Sequence, residues 1–171
     1  MQPITLFYIL IAIIIVSFII DKILDTLNAK HFNDKIPEKI ADVYDAAEYK
    51  KSQAYKKANE KFSNITSTFS IVLTLIFFFI DGFKYVDDFA RSFAEHPILV
   101  ALIFFGFIML GSDILTTPFS YYQTFVIEEK FGFNKSTKKT FWFDKIKGWL
   151  MSILLGGGIL SLIIWFYQFA G

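Results

Sequence analysis

An all-α, polytopic membrane protein with four transmembrane helices and helical cytoplasmic loops is predicted by three observations. The 171-residue chain is 54% hydrophobic and 19% aromatic, with 22 Phe and a mean hydropathy of +0.48, values that soluble domains rarely reach. Apart from Asp113, its charges are excluded from four long apolar segments, and its Lys and Arg concentrate in two of the loops between them. A net charge of +1 gives no bulk basic character for nucleic acid, and the absence of Cys excludes a disulfide framework and any thiolate metal site.

Crossing a bilayer takes about 20 mostly apolar residues, and only a helix pairs all of its backbone groups within the segment. The first span covers about residues 4–20. No Lys or Arg precedes it, its 17 residues Ile4–Ile20 are uncharged, and it ends in Asp21-Lys22-Ile23-Leu24 without a small-residue cleavage site. Those features describe a retained signal-anchor helix and not a cleaved signal peptide. The second span, 65–80, lies in the uncharged window Phe62–Ile80; the third, 97–117, begins at Pro97; the fourth, 148–169, lies in a stretch without charge from Gly148 onward. Trp149 near its start and Trp165 and Tyr167 near its end suit the two interfaces.

Lys/Arg asymmetry sets the orientation. The loop 21–64 holds nine Lys and the loop 118–147 holds six, whereas 81–96 holds only Lys84 and Arg91 against Asp81, Asp87, Asp88 and Glu95. Both long loops are therefore expected in the cytoplasm and both termini on the far side.

The first cytoplasmic loop is patterned. Ile20, Ile23, Leu24 and Leu27 extend the first helix as an amphipathic stripe; Pro37 suits a helix start, followed by Ile40, Val43, Tyr44 and Ala47; Ala54, Tyr55, Ala58 and Phe62 lead into the second span. Two or three helical stretches are expected, resting on lipid headgroups or on a cytoplasmic domain. In the second loop Pro118 is expected to end the third helix, Gly132 to make a sharp turn at positive φ, and Asn134 or Thr137 to cap the next helix. Glu128 and Glu129 are adjacent, so on a helix they diverge and form no metal pair; they either pair with Lys130, Lys147 or a basic partner, or stand beside a catalytic centre.

Two intramembrane features stand out. Asp113 is costly in hydrocarbon and must face protein or water, either in a hydrogen bond with a neighbour such as Ser112 or Thr116 or lining a polar chamber. Gly156-Gly157-Gly158 permits close helix approach, or makes a hinge or a wall left thin beside a cavity. Catalytic chemistry is not legible. A zinc peptidase of the HExxH type needs two His one helical turn apart, but the two His of this chain, His31 and His96, are expected on opposite sides of the membrane.

Residues 118–134 read PFSYYQTFVIEEKFGFN, an unusual aromatic density around Glu128-Glu129-Lys130. Pro118, Ser120, Tyr122, Thr124, Phe125, Val126, Ile127, Glu128, Glu129, Lys130, Gly132, Phe133 and Asn134 closely resemble the signature of the CAAX prenyl protease type I family. Thr137, Phe141, Asp144, Ile146 and Lys147 follow at the family's spacing, and Ser52, Tyr55, Lys61, Ser67 and Phe69 are weaker matches. The resemblance implies a seven-helix zinc metallopeptidase with a water-filled chamber and its zinc site after the fifth helix, cleaving C-terminal tripeptides from prenylated proteins. On that basis residues 1–171 form the N-terminal membrane region, with no catalytic residue or cofactor of its own. Zinc is expected in the full-length enzyme, and the expected partners are the bilayer, the C-terminal catalytic region and a peptide or protein substrate. The Lys/Ile/Phe-rich composition points to a bacterial inner membrane. The rival reading is a stand-alone membrane scaffold without chemistry; a small transporter would need repeats that the chain lacks.

The uncharged end of the fourth span favours a truncated chain. The isolated 171 residues are accordingly expected to unfold non-cooperatively and to be polydisperse in detergent. Cooperative melting with a monodisperse profile in size-exclusion chromatography would contradict this.

Overall fold

The structure, a computed structural model, describes residues 2–32, 36 and 45–170. Five helices follow one another: α1 Pro3–Ala29, α2 Ala46–Phe79, α3 Gly82–Phe93, α4 Pro97–Phe131 and α5 Lys138–Phe169. There is no strand among the described residues. Helices α1, α2, α4 and α5 are each long and apolar enough to cross a membrane. Few apolar side chains are buried, among them Ile11, Val86, Ala90, Val100, Ile127 and Phe131, whereas Ile13, Phe79, Leu154 and Phe169 are more than half exposed. An apolar surface of that extent is stable only in contact with lipid or further protein. The protein is thus an integral membrane protein of the helical class.

The helices form two compact units. One consists of α1, α2 as far as Ile76, and residues 125–133; the other takes in the end of α2, α3, α4 as far as Thr124, and everything described from Asn134 onward. In the first unit α1 runs nine residues past Ile20, as its stripe of Ile23, Leu24 and Leu27 predicts. Lys22 ties it to α2: its Nζ donates to Asn64 Oδ1 at 2.6 Å and to the Ser67 hydroxyl, and lies 5.4 Å from the Phe18 ring centre. The stripe Ala54, Tyr55, Ala58 and Phe62 belongs to one unbroken helix, α2, that continues into the apolar stretch. The helical start expected at Pro37, with Ile40, Val43 and Tyr44, lies outside the described residues.

In the second unit the segment 81–96, read from sequence as a connecting loop, holds α3. Asp81 turns the chain at φ 56, a left-handed conformation that Asp tolerates better than most residues. Gly82, Val86 and Ala90 then form a buried stripe at i, i+4, i+8, and Phe89 meets Phe107 of α4 at 5.3 Å. The outer face carries an Arg91–Asp87 ion pair at 2.7 Å. His96 begins α4, its Nδ1 accepting from Ile98 N at 3.3 Å, and Pro97 occupies the first turn, where a missing N–H costs nothing.

Pro118 does not end the third membrane helix. Helical conformation continues through it to Phe131, with a π-helical stretch at Gln123–Glu128. The expected boundary fails because a proline removes one donor and leaves the rest of the ladder intact, a loss that membrane helices tolerate where side chains and local readjustment re-satisfy the backbone. The carbonyl that Pro118 leaves without a donor is that of Ile114, one turn back; the Thr116 and Thr117 hydroxyls donate to the carbonyls before it, Ser112 O at 2.9 Å and Asp113 O at 2.6 Å.

Gly82 is required by close approach. A Cβ there would meet Phe77 Cδ2 at 2.5 Å, and the Phe77 ring is itself held edge-on to Phe83 at 4.8 Å. Gly82→Ala is expected to destabilise the intact protein by about 1–3 kcal/mol through overpacking, measured by thermal unfolding in detergent, and Gly106→Ala, whose Cβ meets nothing within 4 Å, by far less.

Candidate functional site

The sequence-predicted site residues divide between two places. In the first unit the end of α4 is shaped by a Schellman turn. Phe133 N donates to Glu128 O at 2.9 Å and Gly132 N to Glu129 O at 3.0 Å, with Gly132 at φ 75. This is the arrangement in which glycine closes a helix at no steric cost, and it meets the expectation of a turn at positive φ. Ile127 and Phe131, one turn apart, are buried. Tyr55 of α2 receives Phe131 at 5.3 Å and Phe133 at 4.8 Å between ring centres. Lys51, one turn earlier on α2, places Nζ 5.5 Å from the Phe133 ring centre and Lys130 caps the Phe131 ring at 5.7 Å. Such cation–π contacts contribute about 0.5–1 kcal/mol where exposed. Phe125 and Glu128 are half-buried, whereas Glu129, Lys130, Gly132 and Phe133 are exposed.

In the second unit Asp113 is the centre. Lys145 Nζ donates to its Oδ1 at 2.6 Å and Trp149 Nε1 to its Oδ2 at 2.8 Å. Lys145 and Trp149 are one turn apart on α5, so a single helix face presents both donors. These are the partners of the carboxylate, and not Ser112 or Thr116. The ammonium is 16% and the carboxylate 35% exposed, so the pair is screened only in part and its short contacts carry more weight than a surface ion pair would.

Asp113 also lines a cavity of about 1080 Å³ bounded by α4, α5 and the turn before α5. Leu102, Phe105, Met109 and Leu110 of α4 form one apolar wall, and Thr124, Ser136, Asp144 and Lys145 give the other end its polar character. Gly156, Gly157 and Gly158 line it as well. A Cβ at Gly157 would lie 3.5 Å from Leu102 Cδ2, an ordinary van der Waals contact, while Gly156 and Gly158 face open space. The triplet thus lies beside the cavity, and no close helix approach depends on it. A second π-helical stretch, Ser152–Gly156, ends on the first glycine of the triplet; neither π-helical stretch is legible in hydropathy.

The turn between α4 and α5 is built by polar side chains. Asn134 Oδ1 accepts from Ser136 N at 2.7 Å, and Thr137 Oγ1 accepts from Thr140 N at 3.1 Å, capping α5. Of the two expected capping residues Thr137 is the cap. Tyr122 and Pro118 are exposed on α4, and Lys147 is exposed on α5. Among the described residues no group of three His, Cys, Asp or Glu could hold a metal ion. His31 contacts Leu27 O at 3.0 Å and His96 caps α4, so the donors present do not fit a zinc site.

A family model described as CAAX prenyl protease N-terminal, five membrane helices, matches residues 25–171. The chain is 37% identical over 142 residues to the CAAX prenyl protease 1 homolog of Dictyostelium discoideum, covering 80% of this chain and 33% of that protein. It is 33% identical to the probable CAAX prenyl protease 1 of Schizosaccharomyces pombe, over 77% of this chain and 30% of that one. The crystal structure of S. mikatae Ste24p superposes with a TM-score of 0.87 at 29% identity, over 99% of this chain and 41% of that chain. The chain thus spans about a third of the length of the curated relatives it matches.

Removal of Lys145 leaves the Asp113 carboxylate with Trp149 alone. Lys145→Met is expected to cost the intact protein about 1–3 kcal/mol, below the range for a fully buried pair because Asp113 is partly exposed. Lys145→Met combined with Asp113→Asn is expected to cost less than the two single changes together, by at least about 0.5 kcal/mol. Denaturant unfolding in detergent reads both quantities, and strict additivity would show that the pair is energetically idle.

Proposed function

This chain belongs to the CAAX prenyl protease N-terminal family and forms the N-terminal membrane region of such a protein; on that premise we propose the part it takes in a zinc metalloendopeptidase. The zinc and its ligands lie on residues outside these 171, and no step is assigned to zinc through this chain. The cavity lined by Asp113, Thr124 and Asp144 contributes wall to the internal chamber. Residues 125–133, fixed by Tyr55 and Lys51, present Glu128, Glu129, Lys130 and Phe133 to the C-terminal catalytic region. Thr137, Asn134 and Lys147 serve the same region by setting and flanking the start of α5. The observation that carries this reading is the match of the family model across residues 25–171.

The substrate on this reading is a peptide or protein, with the C-terminal tripeptide of a prenylated protein as the first candidate. The Lys count supports cytoplasmic placement of 21–64 and 118–147 and puts both termini on the opposite side. Composition alone supports a bacterial inner membrane, whereas the relatives compared above are eukaryotic.

The reading frame continued past the codon for Gly171 is expected to encode another apolar span and an HExxH sequence. The protein so extended should release a tripeptide from a prenylated CAAX peptide, with loss on chelation and recovery on adding zinc. A stop codon at that place, or a folded extended protein with no zinc-dependent cleavage, would favour the scaffold without chemistry.

A further inference from the structure

Helix α5 changes character partway along its charge-free span. Ser152–Gly156 is π-helical and runs into Gly157 and Gly158. The Gly157 N–H lies within bonding reach of the Ser152, Ile153 and Leu154 carbonyls at once, the acceptors that π-helical, α-helical and tighter windings use in turn. The Ser152 N–H is shared in the same way between Gly148 O and Trp149 O. The backbone here passes from one winding to another without stranding a donor in hydrocarbon. Glycine weakens a helix, and no close packing offsets that at Gly156 and Gly158, where a Cβ would meet nothing within 4 Å. π-helical turns are among the usual seats of sharp helix kinks.

The two sides of this stretch hold α4 differently. Gly157–Ala170 packs along α4, with Leu102 in ordinary contact at Gly157. Lys138–Met151 stands off α4 and reaches it through side chains: Lys145 and Trp149 donate to Asp113, and Phe141 meets Tyr121 edge-on at 5.6 Å between ring centres. The cavity of about 1080 Å³ lies between the two helices, lined along α5 from Phe141 to Ser161.

One packed arm, a stretch of backbone with more than one winding, and a second arm held by a polar contact across a cavity make a hinge with a latch. We propose that Ser152–Gly158 is a hinge on which residues 138–151 swing away from α4, that the contact of Asp113 with Lys145 and Trp149 is its latch, and that release of the latch widens the cavity from the Phe141 end. The movement lies within one unit of the fold and does not rest on the peptidase reading. Phe143 stands about 16 Å from the centre of the hinge at 1.5 Å per residue, so a kink of about 20° moves it by roughly 6 Å.

These residues contain no Cys, which suits them to paired nitroxide labels. The intact protein, with any Cys in its remainder replaced by Ser, is labelled in nanodiscs and its label-to-label distances are measured by double electron–electron resonance. One pair, Leu115→Cys with Phe143→Cys, spans α4 and the moving arm; a reference pair, Leu99→Cys with Leu162→Cys, spans α4 and the packed arm, and all four side chains are exposed. Wild type is expected to give one narrow distribution at each pair. K145M/W149F, which removes both donors from Asp113, should add a population roughly 6 Å longer at the first pair and leave the reference pair unchanged. G156A/G158A in that background should remove the added population, because alanine stiffens the helix and meets no neighbour at either position. K145R, which keeps the charge and the donor, should match wild type. K145M/W149F without the longer population overturns the latch. A longer population that survives G156A/G158A overturns the hinge, as does an equal change at the reference pair. Should K145M/W149F fail to fold, D113N takes its place and the same outcomes decide.

Discussion

Inside hydrocarbon a backbone N–H or C=O has no water to turn to, and most of this architecture follows from that constraint. It makes the described residues almost wholly helical, and it explains why irregularities take forms that preserve pairing. Pro118 withholds one donor without ending α4, while the neighbouring Thr116 and Thr117 hydroxyls engage carbonyls of the preceding turn. The two π-helical stretches, Gln123–Glu128 and Ser152–Gly156, widen the helix while keeping its groups bonded. Beyond α2, breaks among the described residues fall at Asp81-Gly82, at Ala94–His96 and at Gly132–Thr137, where polar side chains or a left-handed residue close the ends.

The same environment changes what holds helices together. Lipid removes the usual hydrophobic gain from helix association, so specific polar contacts and close approach become decisive. Lys22 reaching Asn64 and Ser67 does this in one unit, and Asp113 reaching Lys145 and Trp149 does it in the other. Gly82 against Phe77 adds closeness of approach. The residues that resemble the protease signature are shared out by this logic. Thr124 and Asp144 belong to the cavity beside Asp113, whereas Phe131, Gly132 and Phe133 make a turn locked to Tyr55 and Lys51.

Legibility in sequence tracked the range of the interaction. Apolar length announced the membrane helices, the stripe after Ile20 announced the continuation of α1, and Gly132 and Thr137 announced their turn and cap, because each is decided within a few residues. Helix α3 was hidden by its charges, although Phe83, Val86, Ala90 and Phe93 have helical spacing. The partners of Asp113 were hidden for a different reason. They lie 32 and 36 residues away, and nothing local points to them except that Lys145 and Trp149 occupy one helical face. Pro118 misled because its cost was judged by soluble-helix rules.

The π-helical stretch in α4 absorbs chain length. In a regular helix one residue more or fewer turns everything beyond it by about 100° around the axis, but a π-helical turn, bonded i→i+5, holds about one residue more than an α-helical turn. Ile127 and Phe131 face inward and Glu129 outward in the phase that Gln123–Glu128 sets. Loss of a single residue there, with return to regular α geometry, would leave the FGF turn in place and Phe131 on nearly the same side of the helix. A gene accumulating small deletions would find this stretch more forgiving than the regular helix before it, even though it lies next to a loop.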